Sequence, residues 1–518
     1  MTENSKIYAP NVYLFAFHHC QTRELESSSP GELTKLWQKC DEILQTKLAV
    51  GTAFNGSYLS KKDEPTGRRV NLINKEVVGN RKSLPFAKNI SHDNQQINLK
   101  GFAEPLRIQD SYALGLQIRV PEKVDGNKTS AVDVSIFQEF NPDNCLLPDF
   151  VQSNFGQTLL LTAWLSIEQN QAAREDSQFL KNLGKQCLEK LISGENRPDF
   201  YRQGELFGSP ILEYGNPSQP DSYCHVIIWF FNTSATDEIW DDTRYSDFMD
   251  LFFYRNNILH AYHDSRKLYL VTREEYKQIK LDIENNFKYL QGEQSQPRQS
   301  KGAGLKQKEL EELKRQMIEM PLRSVKYAGM LNDLQDRENT IAINAQNYQD
   351  KLNKISLDIK AAKKYNGNDA DLSFLAAFSK ETCPQFQRQI QADLGYFTHG
   401  SGLLDQATEA IRAIVAIEEA YRDAKLEVTI QAVGFGLGVA GVVAGSSPYL
   451  IKQDPPNQMV ALPLPLLKVG INSFALVLLI SITAGVVVWG VVMLSANSKN
   501  LLGKFKNLLG KNKQLPPQ

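Results

Sequence analysis

The chain has 518 residues and almost balanced charge, 58 Lys and Arg against 59 Asp and Glu, so it is too long for one core of roughly 250–300 residues and several domains are expected. Acids and bases are interspersed, which excludes the concentrated basic face of a nucleic-acid binder. Six cysteines without a C-x-x-C pair exclude a zinc ribbon and a disulfide framework and fit a reducing compartment, and the opening MTENSKIYAP lacks the basic start and apolar core of a signal peptide.

Residues 1–291 mix short apolar runs with helical windows. Asn11–Phe17, Ala113–Val120, Ala131–Phe137 and His225–Phe231 are rich in β-branched and aromatic residues and predict strands. Gly31–Ala49, Ala173–Ile192, Tyr245–Leu259 and Arg273–Leu290 predict helices. In the first, Leu33, Leu36, Trp37, Cys40, Ile43 and Leu44 form one apolar face. The expectation is an α/β or α+β domain, with long loops across the weakly patterned 55–110.

Three constellations in this domain carry candidate chemistry. His260 and His263 with Asp264 would lie on one helical face, yet two ligands do not make a metal site. His18, His19 and Cys20 follow a strand, where neighbours point to opposite faces. Asp237, Glu238, Asp241, Asp242, Asp247 and Asp250 form an acidic patch that reads as a Mg²⁺ or Ca²⁺ holder or, more commonly, as a solvated helix start. No P-loop, dinucleotide fingerprint, nucleophile elbow or H-E-x-x-H occurs, so no enzymatic activity is expected.

Residues 292–304, GEQSQPRQSKGAG, have no large apolar side chain and read as a linker. Beyond it 305–427 is rich in Leu, Glu, Lys, Gln and Arg and predicts a stalk of long helices, broken at Lys363–Asp371 and again at His399–Gly402, with a shorter helix over Thr382–Phe397. From Leu403 to Val428 apolar residues fall at alternating spacings of four and three, the a/d seam of a coiled coil, with Ala410, Ile414, Ile417 and Tyr421 at its centre. The seam suits either the preceding helices of the same chain or neighbouring subunits, and Leu404, Ile411 and Val415 supply a second face.

Two charge-free runs follow, 428–451 and 469–498, each longer than the roughly 20 residues an α-helix needs to cross a bilayer. They predict two C-terminal transmembrane helices joined by a loop over 452–468. The basic tail 499–518, with Lys499, Lys504, Lys506, Lys511 and Lys513, and the bases before the first run predict both termini on the cytoplasmic side of an inner membrane. Gly434, Gly438, Gly441 and Gly445 mark a close helix contact or a pore surface, and Gln431 is the polar side chain best placed to meet an ion.

This order of parts, a cytoplasmic α/β domain, long helices, one helix continuing into the membrane, and a terminal two-helix hairpin with a basic tail, resembles the CorA (2-TM-GxN) cation transporter superfamily over roughly the last 220 residues. The resemblance implies a homo-oligomer, a pentamer, in the lipid bilayer, with the first membrane helix lining a path for Mg²⁺ or another divalent cation. The Gly-Met-Asn signature of that family is missing. The corresponding stretch reads GSSPYLIKQDPPNQM, where Asn457, the candidate ion contact of the loop, follows two prolines. Superfamily-like proteins with altered signatures occur beside bacterial defence systems. The expected function is therefore a channel or transporter gated by its cytoplasmic domain or, alternatively, a membrane-anchored signalling or defence effector whose domain binds a ligand or protein.

Overall fold

The structure, a computed structural model, describes residues 5–19, 35–54, 69–74, 79, 81–176, 178–219, 224–240, 242–292, 305–362, 371–450, 460–461 and 470–471, with the backbone alone at 242–244, 285–292, 431–450 and the last two pairs. The chain divides into two compact units, residues 1–280 with 326–401, and residues 281–325 with 402–518. The first unit thus draws helical residues 326–401, well beyond the linker, into the same body as the sheet.

The first unit is built on a ten-stranded mixed sheet. Its strands are β1 (Lys6–His19), β2 (Arg69–Asn71), β3 (Leu84–His92), β4 (Gln95–Ile108) and β5 (Ser111–Arg119). After a small hairpin of β6 (Lys123–Val124) and β7 (Asn127–Lys128) come β8 (Val132–Asp133), β9 (Gly156–Trp164), β10 (Phe200–Leu206), β11 (Ser209–Tyr214) and β12 (His225–Phe231). The order is β10-β11-β12-β9-β1-β5-β4-β2, with β3 on β4 and β8 on β1. All pairs are antiparallel except β9 with β12.

Helices cover both faces of this sheet, which is why its central strands read as unbroken apolar runs. In β1, Val12, Leu14 and Ala16 face a core shared with Trp37 of α1 (Lys35–Glu42) and with α3 (Phe179–Leu191), which follows α2 (Ile167–Glu175). The alternate residues Tyr13, Phe15 and Phe17 face a second core. There they meet Phe248 and Phe252 of α5 (Asp242–Gly292), Tyr348 and Leu352 of α6 (Gln307–Ala361), α7 (Ser373–Ala377) and the start of α8 (Cys383–Leu450). The one-turn α4 (Ser234–Ile239) leads into α5.

Several expectations need correction. Residues 55–110 hold β2 and the long β3–β4 hairpin, whose turn residues Asp93 and Asn94 take positive φ of 47° and 62°, rather than loops alone. Only Val132–Asp133 of the expected strand Ala131–Phe137 is extended, because Asp133 caps a 3₁₀ turn over Val134–Ile136 by accepting from the Ser135 N–H. The window Ala173–Ile192 is two helices parted at Asp176, and Tyr245–Leu259 and Arg273–Leu290 belong to the single 51-residue α5. There is no break at His399–Gly402. A Cβ on Gly400 would come within 2.7 Å of the Tyr327 hydroxyl, so this glycine permits close helix contact inside α8. The linker 293–304 and the break at 363–370 lie outside the described residues.

Among the described residues no helix is long and apolar enough to cross a membrane. The side chains of Gln431, Gly434, Gly438, Gly441 and Gly445, the whole of Asn457, most of the second apolar run and the basic tail lie outside them. Within the described part, α8 extends unbroken to Leu450. The second run opens not in a helix but with Gly470–Ile471 paired antiparallel to Val460–Ala461.

Candidate functional site

Two polar sites lie in the first unit. The closed one joins four strands, β9, β10, β11 and β12, to α5. Glu213 of β11 is 2% exposed and receives Arg255 Nη2 at 2.7 Å, Arg202 Nε at 2.5 Å and His225 Nε2 at 3.0 Å. Because Glu213 accepts at Nε2, that nitrogen carries the imidazole proton, and Nδ1 is left to accept from the Thr158 hydroxyl at 2.9 Å. Asn256 Nδ2 donates to that hydroxyl in turn, at 3.2 Å. The result is a directed chain, Asn256 to Thr158 to His225 to Glu213, with two guanidinium groups closing it. Arg255 also lies 4.2 Å from the Phe378 ring centre and Arg202 4.3 Å from that of Phe374, so the network fastens the segment around α7 to the sheet.

Its electrostatics follow from that geometry. Burial opposes ionisation of Glu213, but Arg255, His225 and Arg202 outweigh it and hold the carboxyl far below the usual range. Burial and then Arg255 push His225 down to about 4, against the pull of Glu213, so the imidazole is neutral at physiological pH. No member of the network lines the open cleft described next. The arrangement locks β9, β10, β11 and β12 to α5.

The open site is a cleft of about 950 Å³ on the second face of the sheet, between β1, β4, β5 and β9 and the α4–α5 junction. Its floor is a hydrogen-bonded set in which Tyr13 Oη accepts from Gln117 Nε2 at 2.8 Å and from Trp240 Nε1 at 3.1 Å. Tyr245, at the start of α5, lies against Gly115, where a Cβ would fall 1.8 Å from its hydroxyl, so only glycine admits the ring. On the walls, Trp164 Nε1 donates to Glu122 Oε1 at 2.9 Å and Asn71 Nδ2 to Glu104 Oε1 at 3.3 Å. Arg69 donates to the Ser246 carbonyl at 2.8 Å and pairs with Asp250 at 3.0 Å. Burial, then Glu122 and Glu238, push the Asp237 carboxyl up to about 6.

The sequence-predicted constellations fare unevenly. The acidic patch is dispersed: Asp247 and Asp250 pair with Lys351 at 3.3 and 2.7 Å, Asp237 turns to the cleft, and the Asp241 and Asp242 side chains lie outside the described residues. His260 sets Nε2 3.3 Å from Asp264 and packs edge-on against Phe155. His18 is buried while His19 is exposed, as strand alternation requires, and Cys20 lies outside the described residues. Among the described residues no group of three or more His, Cys, Asp or Glu could hold a metal ion. The described cysteines are free thiols, and burial pushes those of Cys145, Cys224 and Cys383 up to about 12, which makes them poor nucleophiles.

In the second unit α8 buries one face and leaves the other. Leu404, Ala407, Ile411 and Val415 form a small core with Leu310, Leu313 and Met320 of α6. Lys314 pairs with Glu419 at 2.6 Å, and Arg422 reaches the Leu305 carbonyl at 2.7 Å and Gln307. The seam joins this core at its start, through Ala407 and the half-buried Ile414, and leaves it further on, where Ile417 is 71% exposed and Tyr421 42%.

No protein-family model matches this sequence, and no curated protein matches it significantly.

Sequence reasoning missed Glu213, Arg202 and Arg255 because their meeting depends on pairing across β10, β11, β12 and α5. A buried-strand reading of HVIIWFF with a polar residue at its head offered the one usable signal, at His225.

Proposed function

We propose that the chain is an oligomeric membrane protein of CorA-like build, in which the α/β domain responds to a ligand and the long helices carry that state to a cation path formed by the C-terminal apolar runs. One observation carries the reading. The a/d seam of α8 stands exposed at Ile417 and Tyr421 while the adjacent face is already used inside the chain, and the same helix continues into the first apolar run. A heptad seam is complementary to copies of itself, so other copies of this chain are its natural occupants. A second feature supports coupling. Tyr245 and Ser246 at the start of α5 wall the cleft, and the last turns of the same helix belong to the second unit.

Liposome flux of Mg²⁺, Na⁺ and K⁺ through the reconstituted protein tests the reading. Conduction that Gly438→Leu abolishes is the expected result, since a leucine does not fit a close glycine contact. No flux of any of the three ions overturns the cation path. The altered Gly-Met-Asn region around Asn457 then favours the second reading, a membrane-anchored signalling or defence effector.

A further inference from the structure

The cleft carries chemistry that its own residues leave unused. Three cations in its lining, Lys82, Arg119 and Lys123, are exposed and form no ion pair among the described residues. Two of its acids already have neutral donors: Glu122 accepts the Trp164 indole N–H and Glu104 accepts from Asn71. With Arg69 bound to Asp250, Lys82, Arg119 and Lys123 are the cations of the lining left without an ion partner among the described residues.

Two buried polar atoms of the same lining have no hydrogen-bond partner among the described residues, Asn11 Oδ1 and Tyr245 Oη. The Asn11 amide nitrogen is committed to Thr162 Oγ1 at 3.0 Å and the Ala9 carbonyl at 3.3 Å, which fixes Oδ1 as the free acceptor. Buried polar atoms left unmade are costly and uncommon, so two beside one cleft call for an incoming N–H and a second polar group. Around them the surfaces are aromatic, with Tyr13, Trp240 and Tyr245 each under a tenth exposed and Phe102 and Trp164 half-buried. The volume suits a small organic molecule and far exceeds an inorganic anion.

We propose that this cleft binds an organic anion of nucleotide size, a planar ring with N–H donors among the aromatic side chains and a phosphate toward Lys82, Arg119 and Lys123. The ring N–H meets Asn11 Oδ1 and a ring acceptor or ribose hydroxyl meets Tyr245 Oη. Arg119 and the two lysines supply charge without needing to break an existing pair, which favours an anion. The inference rests on the reading of the α/β domain as the ligand-responsive part and names the ligand class that domain takes.

Isothermal titration of the full chain, purified in detergent, with AMP, GMP, CMP, UMP, inorganic phosphate and spermidine tests it. At least one nucleotide is expected to bind, inorganic phosphate at least about tenfold more weakly, and Arg119→Ala with Lys123→Ala to weaken the nucleotide by about 10–100-fold. Both substituted residues are exposed, and an unchanged far-UV spectrum verifies folding. Asn11→Leu, which removes the acceptor of the ring N–H, is expected to weaken every nucleotide that the parent chain binds. Binding of none of the four, equal binding of phosphate, tighter binding of spermidine, or affinity unchanged in the double variant overturns the proposal. Because titration needs no conduction, nucleotide binding without ion flux removes the cation path and leaves this inference standing, and flux without nucleotide binding does the reverse.

Discussion

The two units solve the burial of apolar surface differently. In the first, the central sheet is covered on both faces, and even its buried charges are matched, with Glu213 answered by Arg202, His225 and Arg255. In the second, α8 buries Leu404, Ala407, Ile411 and Val415 within the chain yet leaves Ile417 and Tyr421 in the open. The apolar strands of the first unit are covered from within the chain. A helix with one spent and one unspent apolar stripe gains stability only by meeting another surface.

Breaking the closed network should have the largest effect. Glu213→Ala leaves Arg255 buried without its carboxylate and is expected to cost about 3–5 kcal/mol, read as a lowered urea midpoint of the first unit. Acid attacks the same place. The folded His225 stays neutral down to about 4, below its ordinary 6.5, so the unfolded chain binds the extra proton between those values and stability falls as pH drops from 6.5 towards 4, by on the order of 3 kcal/mol. The depressed Glu213 adds a loss below its ordinary 4.5. Thermal unfolding followed against pH should show this slope, and His225→Gln should flatten its upper part.

The contrast between the faces of α8 sharpens with a matched pair. Ile411→Ala empties part of a buried contact and is expected to cost about 2–3 kcal/mol. Ile417→Ala, at an exposed site, should leave the unfolding of dilute protein within about 0.5 kcal/mol while weakening self-association. Equal costs would mean that the two faces do not differ. The smallest effect belongs to the cleft: Tyr245→Phe removes a hydroxyl that has no hydrogen-bond partner among the described residues and should change stability by less than about 0.5 kcal/mol.

The elements most legible in the sequence were those whose pattern is set by burial alone. His225–Phe231 is apolar after its first residue because both faces of β12 are covered, and the face read on Gly31–Ala49 reappears as buried Leu36, Trp37, Cys40, Ile43 and Leu44 of α1 and the π turn behind it. The β3–β4 hairpin escaped because β3 lies at the sheet margin, with Lys88 and Asn89 among few buried neighbours and a weak alternation, although Asp93–Asn94 is a recognisable hairpin turn. Gly400 misled for a related reason: a helix break and a close helix contact both call for glycine, and only Tyr327 and Tyr276 beside it tell them apart. The seam was legible as a heptad, but which of two apolar faces the chain keeps for itself depended on Leu310, Leu313 and Met320, a hundred residues away. The cleft was not legible, since Asn11, Arg119, Trp164 and Tyr245 meet only through the strand order.

Self-association through the exposed seam is the claim on which the membrane reading stands, and native mass spectrometry from detergent measures it directly. The parent chain is expected to appear as a homo-oligomer, a pentamer by the resemblance of its build. Ile414→Asp with Ile417→Asp should dissociate it by burying charge in the seam, while the unfolding of the first unit is unchanged. A monomeric parent, or an assembly that the double variant leaves intact, would contradict the account.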